Sequence, residues 1–193
     1  MGINTDIVAD KNVKAPTPNI VEIAIIIDAE ALIKSGNTGG SIDMPKSLKD
    51  QDTYVYMIAS KSEVVSGIGT AELKVKMQTN QSIQFTNQPL QPIEYSVLLR
   101  RCKVTTGDNY ISVPTCYAVQ KTQMVMDPNK RPPQDNIVSN ILFISRWSME
   151  ALKAGGVTYT FTFEVWDNSK LDNSGRPTSL GCFSWDPHIQ ITL

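Results

Sequence analysis

His188 is the only histidine in the chain, so any serine- or cysteine-based nucleophilic centre would have to recruit it as general base. It follows Asp186-Pro187 at the head of the last apolar segment, a position that reads as surface rather than catalytic. The three cysteines, Cys102, Cys116 and Cys182, show no CxxC spacing and are odd in number, which argues against a zinc site and against a disulfide framework. Core packing is the ordinary role of such thiols and is expected for Cys102 and Cys182, while Cys116, close to Pro114 at a strand start, is the one expected to be exposed. Among the carboxylates, Asp28 with Glu30 and Asp50 with Asp52 lie close enough to share a hard cation, but neither pair has the ligand spacing of a calcium loop. Helix capping accounts for Asp28, and solvation for the second pair. Glu22, Glu94 and Glu164 are the acidic residues inside or beside apolar runs, and each reads as an ordinary exposed carboxylate. Gly67-Ile68-Gly69 imitates the start of a dinucleotide fingerprint, yet the third glycine is missing and a strand follows where a helix is required, so it reads as a turn. Two tryptophans, Trp166 and Trp147, are the candidate ligand-binding residues, since exposed aromatic rings on a sheet can stack on a sugar. Trp166 is the better of the two, because it lies out of phase with the apolar face of its segment. No catalytic, metal or cofactor site is expected.

The elements that must position these groups belong to an ordinary globular chain. It has 193 residues with 41% hydrophobic and 19% charged, enough to bury one sizeable core. The formal net charge of -1, with Lys and Arg scattered, leaves no basic face for a phosphate backbone, so a nucleic-acid partner is not expected. Arg100-Arg101 is the one adjacent arginine pair, and in a regular strand its two side chains would point to opposite faces. Met1 to Asn19 is polar and broken by Pro16 and Pro18, unlike a signal peptide, and Asp6 stands where a myristoylation motif needs Ser or Thr. The longest apolar run, Ile23 to Ile27, is too short to span a bilayer. Cytoplasmic location without a membrane partner is the expectation, with residues 1–18 a flexible segment and residues 19–193 a single domain.

Strand periodicity dominates that domain. Val157 to Val165 places a large apolar residue at every second position, with threonines and Glu164 on the face between, which should be solvated. Ala71 to Met77 alternates in the same way, and Ile20 to Ile27 reads as a strand buried on both faces. Asp28 is placed to cap a short helix over residues 29–34 that Gly36 would stop. Residues 35–52 read as a surface loop, and further strands are expected around Tyr54 to Ala59, Glu63 to Ser66, Ser82 to Thr86, Ile93 to Cys102, Tyr117 to Met124, Ile141 to Met149 and Ser179 to Trp185. The partners expected for Val157 to Val165 are the flanking segments Phe143 to Met149 and Ser179 to Trp185. Loops fall at Asp127 to Gln134 and Asp167 to Pro177. The sum is an all-β chain, an antiparallel β-sandwich of Greek-key or jelly-roll type with little helix.

Three stretches carry a family resemblance. They are Ile25 to Ile33 around Asp28, Ser66 to Leu73, and above all Gly181-x-Phe183-x-Trp185-Asp186-Pro187. In these the chain resembles the AidA/PixA group of bacterial inclusion-body proteins, over a span from about Asn19 to the C-terminus. The resemblance implies a non-enzymatic cytoplasmic protein made under cell-density or stationary-phase control, with a host-interaction role and, in some members, deposition in crystalline inclusions. Seven Met in the chain are few for a group whose name-giving protein is methionine-rich, which places the chain nearer the AidA-like branch. Asp28, Gly181, Phe183, Trp185, Asp186 and Pro187 then read as structural signature residues, with Trp185 in phase with Phe183 and facing the core. The expected partner is a second copy of the chain in a two-fold dimer, because open sandwiches leave strand edges to protect. A host molecule or carbohydrate is the other partner considered.

Overall fold

In the computed structural model, residues 20–127, 129–131 and 136–192 are described. The reading of residues 1–18 as a flexible segment falls outside them. The chain opens with β1 (Ile20–Ile27), then α1 (Ala29–Lys34), β2 (Lys46–Ser47), a 3-10 turn (Gln51–Thr53), β3 (Val55–Ala59), β4 (Val64–Ser66), β5 (Lys74–Gln78) and β6 (Ser82–Pro89). Longer strands follow: β7 (Tyr95–Thr106), β8 (Thr115–Met126), β9 (Ile137–Glu150), β10 (Gly155–Leu171), β11 (Pro177–Trp185) and β12 (His188–Thr192).

These strands form two sheets, the all-β sandwich that the alternation predicts. One has the order β3-β1-β6-β9-β8; in the other β10 is central, flanked by β7 on one side and by β11 and β12 on the other, with β2, β5 and β4 beyond. Most ladders are antiparallel, and three are parallel: β1 with β6, β11 with β2 and β12 with β5. Val157, Tyr159, Phe161, Phe163 and Val165 of β10 are all buried and meet β6 through Phe85, whose ring lies 4.9 Å from Phe161 and 5.4 Å from Tyr159. Burying such rings at every second position is what fixes the register, since a one-residue slip would turn them all to water.

The C-terminal signature is explained by this packing. Phe183 stacks on Phe163 at 5.6 Å and Trp185 tilts against Phe161 at 5.3 Å, so both sit in the core. Pro187 lacks an N–H and would break a ladder, yet the register set at Phe161↔Trp185 is the one resumed at Thr158↔His188. Asp186-Pro187 is thus a notch in one long strand, and Tyr159 N still donates to Pro187 O at 3.3 Å. Gly181 has φ +101°, and a Cβ there would lie 2.7 Å from the backbone of Gly39. The two glycines let the segment after α1 cross β11, where Gly40 and Cys182 exchange backbone hydrogen bonds of 2.9 and 2.8 Å.

Several expectations change at this level. Residues 35–52 are not simply a surface loop, since the Gly40 bridge and β2 cover the edge of β11. Strand β10 pairs with β7 and not with β9, because β9 is taken up by a twelve-pair hairpin with β8 in the other sheet. Strand β1 buries Val21, Ile23, Ile25 and Ile27 but leaves Glu22 exposed and Ala24 and Ile26 half-buried, so only one face is core. The turn after β10 is shorter than the composition of Asp167 to Pro177 indicates, because β10 runs on to Leu171. A bulge at Thr162/Phe163 inserts Arg100 as an extra residue in β7, so strict alternation fails there and both arginines find carboxylates. Arg100 pairs with Glu164, and Arg101 with Asp43 at 2.7 Å.

Candidate functional site

The residues with chemical potential are spread over both sheets. Asp28 is the helix cap: its Oδ1 accepts from Ala31 N at 2.9 Å and from Gln91 Nε2 at 2.9 Å, and Gly36 follows the helix at φ +81°. Gln91 also ties down Glu30, whose backbone N–H donates to Gln91 Oε1 at 3.3 Å. Asp52 does more than face solvent, because its Oδ1 accepts from Ala71 N at 2.8 Å and anchors the approach to β5. Gly67 and Gly69 both have positive φ and build the turn between β4 and β5.

A polar row runs along the outer face of β10, opposite the aromatic core face. His188 is half-buried there, its Nδ1 3.0 Å from Thr158 Oγ1, and neighbouring Asp186 accepts from Thr160. Further along, Glu164 accepts from Arg100 and from Ser179 Oγ at 2.6 Å. The Glu164 side chain is only 14% exposed, so the expectation of a solvated carboxylate is corrected: Arg100 and Ser179 cover it. Trp166 ends the row, half-buried beside a shallow groove of about 310 Å³ that Asp172, Arg176 and Ser179 also line. Asp172 is held at about 2, below the usual carboxylate range, chiefly by hydrogen bonds from the Ser174 side chain and the Arg176 and Ser174 backbone.

Trp147 does not join Trp166. It lies on the inner face of the other sheet, packed against the core with its Nε1 donating to Leu99 O at 3.1 Å. The two tryptophans therefore form no common platform. A wider groove, about 720 Å³, lies on the outer face of β1, β3 and β6, where Ile20, Ala24 and Ile58 surround a polar floor. In that floor Arg146 donates to Gln84 Oε1 at 2.7 Å and to Glu22 Oε1 at 3.3 Å. Sequence reasoning missed this groove, since its residues come from four strands and share no motif.

The thiols are apart from His188 and from one another. Cys116 is exposed, Cys182 buried and Cys102 between the two. Desolvation pushes the Cys102 thiol up to about 12 and raises the other two, so at neutral pH none is a thiolate nucleophile. Among the described residues no cluster of three or more His, Cys, Asp or Glu is placed to hold a metal ion, and no helix is long and apolar enough to cross a membrane. Asp28, Asp52, Glu22, Glu164, Asp186 and His188 are thus each engaged with a neighbouring group of the fold.

Comparison with known proteins follows the fold. A family model described as PixA, inclusion body protein, matches residues 19–191. Among solved structures, the crystal structure of an inclusion body protein from Burkholderia cenocepacia J2315 is similar, with a TM-score of 0.69 and 15% identity over 92% of this chain and 98% of the other. No curated protein matches the sequence.

Proposed function

The chain belongs to the PixA inclusion body protein family, and from that premise we propose that it is a non-enzymatic protein that associates with itself and accumulates in inclusions in the cytoplasm. The observation that carries this reading is the family match over residues 19–191, which spans both sheets of the sandwich. The site chemistry supports it: Asp186, His188, Glu164 and Arg146 each bond to a nearby strand group and not to one another. Control by cell density and a role toward a host, which the resemblance implies, belong to the same reading. The test is accumulation. Expressed to high level in a bacterial cytoplasm, the chain is expected to form refractile inclusions that dissolve to folded protein under mild conditions, and its purified mass should rise with concentration. A chain that stays dispersed and keeps a constant monomer mass up to millimolar concentration refutes the reading.

A second reading, a site for a carbohydrate or another small ligand, is favoured by the open groove over Arg146, with Trp166 as the alternative location. Titration of the purified chain with a panel of neutral and acidic sugars, followed by tryptophan fluorescence and amide shifts, tests it; perturbations confined to one groove support it, and none across the panel removes it.

A further inference from the structure

The β8–β9 hairpin leaves the body of the molecule. Strand β9 pairs with β6 only from Trp147 to Glu150, whereas its ladder with β8 continues to Met126↔Ile137. The ten residues 137–146 therefore run beyond the pairing with β6 as part of a two-stranded ribbon about 33 Å long. A ribbon of two strands is marginal in water unless something covers it.

The ladder has no register shift, so its faces can be read directly. Met149 and Trp147 point toward the core, and the same face continues outward through Ser145, Phe143, Ile141 and Ile137, with Ala118, Met124 and Met126 across from them. Along this continuation the exposure of the large side chains runs from 55% at Ile141 to 75% at Phe143. The five large side chains, Phe143, Ile141, Ile137, Met124 and Met126, leave on the order of 500 Å² of apolar surface in water. That is at the upper end of the roughly 300–600 Å² found for the largest patch on a monomer. With the intervening Gln120, Thr122 and Ser139, the face approaches the roughly 800 Å² per partner that a stable dimer buries. It carries no charged residue.

We propose that this face of the ribbon packs against the same face of a second copy about a two-fold axis, an inference that rests on the self-association proposed above and assigns it a surface. The occupant follows from the chemistry. A neutral apolar face has no charge to select a different partner and none to repel its own copy, and two such faces complement each other when related by a two-fold axis. Phe143 and Ile141 flank the midpoint of the ribbon, so an axis through that midpoint brings both to the centre of the interface, where truncation is felt most. Each copy thereby supplies the cover that the partner's ribbon lacks.

The experiment is sedimentation velocity of the full chain over a wide concentration range, for the wild type, Phe143→Asp, Ile141→Asp and Lys121→Glu. Lys121 pairs with Leu142 on the opposite face and is the control. Phe143→Asp and Ile141→Asp should each raise the dissociation constant at least about thirtyfold, with thermal unfolding of the monomer unchanged, while Lys121→Glu leaves the constant within about threefold. As a measurement independent of those variants, Phe143→Cys in a Cys116→Ser background should give a disulfide-linked dimer under mild oxidation. A wild type that associates equally well in all variants, with no disulfide-linked dimer from Phe143→Cys, overturns the surface but leaves self-association standing. A wild type that is monomeric throughout overturns both, and so does a monomer that instead sediments with lipid vesicles.

Discussion

Replacing Trp185 tests whether the C-terminal signature is a core device. Its side chain is 1% exposed and its indole lies 5.3 Å from the Phe161 ring and 5.6 Å from Phe163, so truncation to Ala removes the centre of an aromatic chain reaching from Phe183 to Phe85. Truncating a buried Trp typically costs about 3–5 kcal/mol in lost transfer energy and residual cavity. One feature moderates that figure: Trp185 Nε1 is buried without an acceptor. Leaving a donor unsatisfied costs about 1–3 kcal/mol, and any truncation relieves this penalty. Trp185→Ala should therefore lose about 3 kcal/mol, the lower end of the range, which for a domain of this size lowers Tm by about 6–12 °C. Trp185→Phe keeps most of the ring contact and removes the orphan N–H, so its loss should be no more than about 1 kcal/mol. Guanidinium and thermal unfolding at low micromolar concentration, where association adds least, measure both. The reasoning fails if Trp185→Ala melts within about 2 °C of wild type, or if Trp185→Phe is as damaging as Ala, which would mean that the indole N–H has a partner.

Gly181→Ala and Gly39→Ala should each destabilise the chain by more than about 1 kcal/mol, because a Cβ would approach the facing backbone to 2.7 and 2.5 Å; Tm values at the wild-type level would show that the two backbones do not cross so closely. Asp172, depressed to about 2, lends stability that is fully present above the unfolded carboxylate value of about 3.9 and lost as pH falls through about 2. Asp172→Asn should accordingly melt below wild type at neutral pH and converge with it in strong acid; parallel Tm curves down to that pH would refute the assignment. Alkylation followed by mass spectrometry should modify Cys116 first in the native protein and leave Cys102 and Cys182 for the unfolded state, since exposure and burial set the order. Modification of Cys102 at the rate of Cys116 would contradict the burial that holds its thiol at about 12.

The parts of the fold that are legible in the sequence are those where a local pattern has one physical solution. The alternation in Val157 to Val165 requires a dry face, and β10 has one, although the opposite face is half-covered by its neighbours and Thr162 is buried; Asp28 followed by Ala-Glu-Ala and Gly36 encodes the cap and stop that α1 shows. Partner choice is not local, which is why β7 rather than β9 lies beside β10. The bulge at Arg100 and the crossing of Gly39 over Gly181 are equally silent, because each depends on a strand distant in sequence. The groove over Arg146 is assembled from the outer faces of four strands, and the cover on Glu164 comes from β7 and β11, so neither environment can be read from the segment that bears the residue.

The β8–β9 ribbon shows where sequence patterning and structure part for a different reason. Periodicity states which residues share a face, and it places Tyr117 to Met124 and Ile141 to Met149 in strands, as found. It does not state whether another layer stands opposite. In β10 the apolar residues meet Phe85 from the facing sheet; in β9 Met149 is likewise buried in the core, while Phe143 and Ile141, on the same face of the same strand, meet water. Nothing in the residue types marks the change, since Phe143 is as apolar as Phe163. A chain that must hold such residues in a two-stranded ribbon keeps a surface that is costly in isolation and favourable once covered. Positions that read as core yet stand in water are therefore where an interface should be sought first, and Phe143, Ile141 and Met124 share one uncharged face of the ribbon.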